Sequence, residues 1–406
     1  MRIIIQKFGG TSVATAEGRA QVAAKVGEAL ERDLSVVVVV SALGRYGHPY
    51  ATDTLIELVQ EIDSQVEGRE LDLLMSCGEI ISAVVMVQTL KAKGIEATAF
   101  TGGQAGIFTN HVFNNARILE IKPAMLLNCL EEGKVAVVAG FQGMTTGGEI
   151  TTLGRGGSDT TAAALGVALK AEEVEIYTDV EGVMTADPRL VPQAKPLEVI
   201  TYQEIYEMAY LGAKVVHPRA VEIAMEGRVP LRIRPTFSNS KGTLITDGVP
   251  LSKIEIRENK QVTGLAHLAG MALVKIHSDL DINKNGMAVR VFELLAEAGI
   301  SVDMIQVAPN QIGFIIQQEL AEQARQVLSG LALEVGVESG YAKVAIIGTG
   351  MRGVPGVMAR VMRGLKEAEI AVYHSTDSHI NIACLVKQDE MSKALQVLHD
   401  IFELAD

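Results

Sequence analysis

Two glycine-rich segments constrain the fold of this chain more than any other feature. The first, Lys7-Phe8-Gly9-Gly10-Thr11-Ser12, directly follows the apolar run Ile3-Ile4-Ile5. The second, Thr151 to Thr161 (TTLGRGGSDTT), directly precedes the helix-like run Ala162 to Lys170. Each sets glycines, hydroxyls and a cation where a helix is expected to begin. Backbone N–H groups there lack intrahelical partners and carry partial positive charge, so they suit anionic oxygens. Two such sites in one chain point to a phosphoryl transfer held by backbone at both ends. Neither segment ends in Gly-Lys-Ser/Thr, so neither is a Walker A loop.

Around these segments, short β-rich runs alternate with longer helical patterns up to about residue 245. Strands are expected at Ile3–Gln6, Ser35–Val40, Glu96–Phe100, Val135–Ala139 and Val174–Tyr177. Helices are expected over Glu17–Arg32, Thr52–Gln65, Leu71–Lys93 and Lys122–Glu132. The alternation predicts an α/β domain with a mostly parallel sheet covered by helices on both faces. Polar, turn-forming residues over 238–247 mark a change of fold, with a linker over 246–260.

The rest of the chain is a duplication. A shift of 70 residues without a gap superposes Ala272 on Ala342, Val274 on Val344, Gly286 on Gly356 and Val291 on Val361. Leu295/Leu365, Ile300/Ile370, Ile312/Ile382, Ala324/Ala394 and Leu328/Leu398 follow. Each copy reads as a βαββαβ module. Copy one finishes with Leu333–Val337; copy two runs out of chain at Asp406 before its last strand. The orphan strand Gln261–Leu268 completes copy two. The expected modules are therefore interleaved, 270–338 for the first and 261–269 plus 339–406 for the second.

Composition excludes several functions. Of 406 residues, 48% are hydrophobic and 21% charged, with a net charge of −13. That balance disfavours a nucleic-acid partner, and no basic stripe is present. A local cationic pocket still admits ATP. Cys77, Cys129 and Cys384 are scattered and read as reduced thiols of a cytosolic protein. The N-terminus is not expected to be a signal peptide, and no apolar stretch is expected to reach the length of a membrane span.

Two further motifs are decoys. Gly348-Thr349-Gly350-Met351-Arg352-Gly353 matches a dinucleotide fingerprint, but 53 residues follow it, too few for the domain that motif needs. Asp281-Ile282-Asn283-Lys284-Asn285-Gly286 matches half an EF-hand loop, but Phe292 stands where a bidentate Glu belongs.

Among the remaining polar residues, Lys7 would face phosphates beside Gly9 and Gly10. Arg155 offers a planar fork to a carboxylate or phosphate. Asp159 is either a helix cap or a residue ordering the nucleophile site or Mg²⁺. Glu79 either binds an amino group or decorates a helix. Gly212-Ala213-Lys214 supplies a second cation, and Tyr177 to Arg189 leaves a strand end for a polar loop, where ligands sit in open α/β sheets.

With Lys7–Ser12, Ser41-Ala42-Leu43-Gly44, Thr52-Asp53, Gly78-Glu79, Phe141-Gln142-Gly143, Leu153–Asp159, Thr178-Asp179, Asp187-Pro188-Arg189 and Gly212–Pro218, the chain resembles the aspartokinases along its length. The repeats resemble paired ACT domains. The resemblance implies an ATP- and Mg²⁺-dependent kinase acting on the side-chain carboxylate of L-aspartate, at the head of diaminopimelate/lysine, threonine and methionine biosynthesis. It implies that Ser41, Thr52, Glu79, Phe141, Arg155 and Ser158 hold aspartate. ATP would contact Lys7, Gly9, Gly10, Thr178, Asp179, Arg189 and Lys214, with Lys7, Asp159 and Lys214 catalytic. It also implies a cytoplasmic homodimer formed through the ACT domains and inhibited by an amino acid. Asp279–Gly286 with Asp303–Gln311, or their counterparts in copy two, form the candidate effector region.

Some positions depart from the family pattern. Pro235 replaces a usual Ser, and Ser378-His379-Ile380 stands where Ser-Glu-Ile is usual. With the segment 44–53 and Ser76-Cys77-Gly78-Glu79, the His version resembles the diaminopimelate-sensitive enzymes of Gram-positive spore formers; lysine and threonine are the alternative effectors. Three rivals stand beside this reading. One is a kinase for acetylglutamate, carbamate or a nucleotide. Another is an amino-acid-sensing ACT protein with an inactive kinase domain. The third, an NAD-linked enzyme, fails on length.

Overall fold

A computed structural model describes residues 1–63, 65–213, 215–247, 262–279, 281–282, 286–331, 333–351 and 353–405. Five consecutive valines, Val36–Val40, are each at most 1% exposed. Such a run, apolar on both faces, belongs in the middle of a covered parallel sheet. It forms β2 (Ser35–Val40), between β1 (Ile3–Phe8) and β6 (Val135–Ala139). The other strands of this sheet are β3 (Ala97–Phe100), β9 (Glu173–Thr178), β10 (Val199–Ile200), β11 (Leu231–Pro235) and β12 (Thr243–Ile245). The order is β10-β12-β11-β9-β1-β2-β6-β3, and every pairing is parallel except β11 with β12.

All five expected strands form. Two expected helices are shorter: the first ends at Gln60 and the other starts at Ala124, because Ile118–Ile121 is a strand. That strand, β5, belongs to a small second sheet with β4 (Ile107–Thr109), β7 (Gln142–Thr145) and β8 (Ile150–Thr152), in the order β5-β4-β7-β8. Strands of three or four residues carry too little alternation to be read from sequence.

The helix Gly68–Lys91 corrects another expectation: by length and composition it is apolar enough to cross a membrane. Half of its most apolar window is buried inside the protein, with Met75, Ala83, Met86 and Leu90 in the core. The same buried set includes two carboxylates, Asp72 and Glu79.

In the C-terminal unit, duplicated positions are core positions. Val291 and Val361, Leu295 and Leu365, Ala324 and Ala394, and Leu328 and Leu398 are each at most 1% exposed. The helices Met287–Glu297 and Val357–Glu367 are preceded by the equivalent glycines Gly286 and Gly356, both at positive φ (66° and 96°). A side chain there would be strained, which explains the shared residue. The strands are β13 (Gly264–His277), β14 (Asp303–Ala308), β15 (Gln311–Gln317), β16 (Glu334–Ile347), β17 (His374–Asp377) and β18 (Asn381–Lys387). They form one antiparallel sheet in the order β14-β15-β13-β16-β18-β17.

Strands β13 and β16 are each shared by the two modules. Met271–His277 pairs with β15 and the start of β16, whereas Gly264–Leu268 pairs with Lys343–Ile347, which in turn pairs with β18. A register shift between Leu268 and Met271 divides β13 between them. The two modules are thus interleaved βαββαβ units. Gln261 and most of the linker lie outside the described residues.

The boundary between compact units does not follow the chain. The first unit holds Met1–Val183 and Pro196–Ala209 and continues through β12; the second takes Met184–Lys195, Tyr210–Ala213 and the chain from β13 onward. Two stretches of the span expected as one catalytic domain therefore fall outside the first unit. The cause is apolar burial: Ala186 and Val191 join the core of the second module with Val344, Val361 and Leu398.

Candidate active site

Candidate residues of the first unit gather beyond the carboxyl ends of β9, β1, β2 and β6. Chain order reverses at β1, since β2 lies on one side of it and β9 on the other. In a parallel sheet this leaves a crevice at the strand ends. Lys7 is the penultimate residue of β1, and Gly9 caps the short helical turn Gly10–Val13. A Cβ on Gly10 would lie 2.5 Å from the carbonyl oxygens of Ala42 and Gly44. Glycine is therefore required for the first loop to lie against the loop after β2.

The second glycine segment opens the helix Gly157–Ala168. Gly156 is left-handed (φ 70°), and a Cβ there would lie 2.1 Å from the His217 ring. A Cβ on Gly157 would lie 2.6 Å from the Phe141 ring, whose own backbone has φ 69°. This packing brings Asp159, in the first turn of that helix, to Lys7: Nζ and Oδ1 are 2.7 Å apart. Asp159 Oδ2 accepts a hydrogen bond from the His217 backbone N–H at 3.3 Å. Burial holds the His217 imidazole pKa below its usual value. Ser41 donates to Ser158 across the site at 3.0 Å.

Glu79 is 2% exposed. Its Oε1 accepts from the Ala42 N–H at 3.0 Å, and its Oε2 is buried with no hydrogen-bond partner among the described residues. Burial pushes its carboxyl up to about 8, outweighing the opposing pull of backbone N–H groups, that of Ala42 first. An orphaned buried carboxylate oxygen beside a cleft calls for a cationic ligand.

The cleft has a volume of about 510 Å³. Its lining includes Lys7, Ser41, Thr52, Glu79, Phe141, Arg155, Ser158 and Asp159, and so unites every expected aspartate-side residue. The arrangement puts one buried carboxyl group, Glu79, and one exposed cation, Arg155, in the same cleft as the Lys7–Asp159 pair. It suits a small zwitterion with a further anionic group. Asp53 and Asn114 also line it. Asp53 was visible as part of Thr52-Asp53; Asn114, with φ 64°, had no sequence signal.

Other expected residues are not part of this cleft's lining. Thr178 ends β9, and Asp179 beyond it pairs with Arg45 at 2.9 Å. Arg189 belongs to the second compact unit and holds Asp187 at 2.6 Å, with most of its side chain exposed. Lys214 lies outside the described residues, as do Leu280 and Asn283–Asn285 of the candidate effector loop. Among the described residues, no three His, Cys, Asp or Glu side chains are grouped to hold a metal.

The amino acid kinase family model matches residues 2–235, and an ACT domain model matches 279–330 and 344–402. Aspartokinase 1 of Bacillus subtilis is 47% identical over 405 residues, covering 100% of both chains. The aspartokinase of Geobacillus stearothermophilus is 43% identical over 413 residues, covering 100% of this chain and 98% of its own. The structure of Escherichia coli aspartokinase III in complex with aspartate and ADP superposes with a TM-score of 0.77 at 28% identity, covering 98% and 99% of the two chains. Fold, cleft and matches define the class: an amino acid kinase domain followed by paired ACT modules. Within that class, the chain belongs to the aspartokinases.

Proposed function

We propose that this chain transfers the γ-phosphoryl group of ATP to the side-chain carboxylate of L-aspartate, giving 4-phospho-L-aspartate and ADP. The observation that carries the reading is the buried, unpartnered Oε2 of Glu79 in the same cleft as Arg155. Glu79 receives the substrate ammonium and Arg155 its α-carboxylate. The side-chain carboxylate is left for the phosphoryl group near Lys7. Aspartokinase III of Escherichia coli binds aspartate and ADP in one complex, and lysine and aspartate in another.

The chemistry asks little covalent work of the protein. A carboxylate is already ionised at neutral pH, so it attacks phosphorus without a general base. The obstacle is repulsion between two anions, and catalysis reduces to alignment and charge compensation. Lys7 supplies positive charge at the end of β1, and Asp159 fixes its ammonium at 2.7 Å. Backbone N–H groups at Gly9–Gly10 and in the first turn of the helix Gly157–Ala168 are the expected cradles for phosphate and carboxylate oxygens. Mg²⁺ fits this site as a companion of the nucleotide phosphates, with at most one or two carboxylates, rather than in a protein cage. When bound, it would neutralise charge on the β- and γ-phosphate oxygens. The family resemblance assigns Thr178, Asp179, Arg189 and Lys214 to the nucleotide.

The reading extends to regulation. An amino-acid end product would bind the ACT modules, with diaminopimelate favoured over lysine and threonine, and the cytoplasmic enzyme would work as a homodimer through those modules. Inhibition requires the effector to bind one arrangement of the domains better than the other. The test is hydroxylamine trapping with ATP, Mg²⁺ and L-aspartate, repeated with each effector. Aspartyl hydroxamate suppressed by one compound supports the reading and names the effector. Folded protein that makes none favours the silent sensor instead.

A further inference from the structure

The loop bearing Arg155 has no regular structure of its own. Strand β8 ends at Thr152 and the next helix begins at Gly157. Its approach lies beside residues 114–116: Ala116 N–H donates to Thr152 O at 2.8 Å, and a Cβ on Gly154 would lie 3.1 Å from Asn114 O. Two side chains of opposite charge grip this pair of segments.

The first is Asp72, which is fully buried. It accepts from Asn114 N–H at 3.1 Å and 3.0 Å, from Thr152 N–H at 2.8 Å and from Thr152 Oγ1 at 2.6 Å. Among the described residues it has no ion-pair partner within 4.0 Å, so its burial is offset by these donors alone. The second is Arg219, which follows His217 at the start of the helix Pro218–Gly227. Its guanidinium donates to Leu153 O and to Ala116 O, each at 3.1 Å. The anion thus takes the N–H side of Asn114 and Thr152, and the cation takes the carbonyl side one residue further on at Leu153 and two further on at Ala116.

Asp72 and Glu79 are both buried on the helix Gly68–Lys91. A separation of seven residues, about two turns, puts them on one helix face. The helix that presents the ammonium acceptor therefore also holds the loop that presents the carboxylate donor.

We propose that Asp72 and Arg219 are positioning residues, a two-sided clamp that sets the spacing between Arg155 and Glu79 and so the length of amino acid the cleft accepts. The kinetic part rests on aspartate lying between those two side chains. Glutamate, one methylene longer, carries its terminal carboxylate past the position that Lys7 and the phosphoryl group require. A slackened loop lets its α-carboxylate retreat and removes part of that penalty.

The test uses the full chain with Asp72→Asn, Arg219→Lys and Thr152→Val, the last deleting only one hydroxyl donor to Asp72. Steady-state kinetics with aspartate and with glutamate are paired with hydrogen–deuterium exchange over residues 112–116 and 152–158. The expected result is an aspartate KM raised about tenfold in Asp72→Asn, kcat and ADP affinity changed less than about threefold, and aspartate-over-glutamate discrimination narrowed. Exchange should rise in both segments. Equal proportional losses for the two substrates, or unchanged kinetics, overturn the clamp as a specificity device. Unchanged exchange overturns it as a clamp. If wild-type protein makes no aspartyl hydroxamate, the aspartate reading fails and exchange alone decides the clamp. If Asp72→Asn does not fold, the two milder variants carry the same comparison.

Discussion

The carboxyl of Glu79 links the structure to a pH dependence that kinetics can read. Burial raises its pKa to about 8, and the Ala42 N–H supports only one of its oxygens. Near pH 7 roughly nine in ten empty sites then hold a proton there. Binding the aspartate ammonium requires the anion, so aspartate displaces that proton. The apparent KM scales as one plus the ratio of protonated to ionised Glu79. Between about pH 8.5 and about pH 6.5 this ratio predicts a rise of about 25-fold in the KM for aspartate, with the KM for ATP nearly flat. Burial holds the His217 pKa below its usual value, so its protonation should contribute little to the rise. Glu79→Gln should abolish the slope and leave the KM at or above the acidic wild-type value. The assay is initial-rate hydroxamate formation over that range at fixed ionic strength. A flat wild-type KM, or a Glu79→Gln enzyme with wild-type KM, refutes the reasoning. The same shift fixes a stability sign. A folded-state pKa raised from 4.5 to about 8 contributes stability present below 4.5 and lost as pH rises through 8. Glu79→Gln should therefore gain stability relative to wild type in alkali, as urea unfolding would report.

Three further outcomes follow from named contacts. Lys7→Ala should lower kcat by two or more orders of magnitude while effector binding, measured by calorimetry, is retained; full turnover would remove its assigned role. Gly10→Ala forces a Cβ within 2.5 Å of two backbone carbonyls and should cost about 1–3 kcal/mol of stability, with loss of nucleotide binding; an unchanged thermal midpoint would contradict the close approach. In the second ACT module His399 is fully buried, its Nε2 sits 3.0 Å from Thr185 Oγ1, and burial lowers its pKa. Its stability contribution is present above about pH 6.5 and fades as pH falls through the lowered value, so denaturant titrations should show acid destabilisation that His399→Gln removes.

Much of the architecture was legible because it rests on local pattern. Five valines in a row admit few environments besides a covered sheet. The repeat was readable because duplicated cores need the same small and branched side chains at matching positions: Ala324 and Ala394 sit fully buried under equivalent strands. The glycines of both loops announced tight approach, and the structure supplies the opposing atoms. The small sheet β5-β4-β7-β8 was not legible, since its strands are only three or four residues long and the pairing of β4 with β7 that joins its two halves spans more than thirty residues of chain. Asp72 carried no signal either, because an aspartate in a helix usually reads as a solvated residue.

The amino-acid order by itself determined the fold class, the duplicated modules and the residue types gathered at the ends of β1 and β2. Tertiary structure alone decided which acids became special. Glu70 and Glu79 share one helix, yet Glu70 is exposed and paired with Arg69, while Glu79 is sealed with an empty oxygen. It also decided that Asp159 meets Lys7 and that Arg189 packs with the C-terminal unit. The physical reason is that desolvation and ion pairing depend on atoms brought together from distant positions, here Lys7 with Asp159 and Glu79 with Ala42. Propensity and periodicity act within a turn or a strand and carry no record of those encounters.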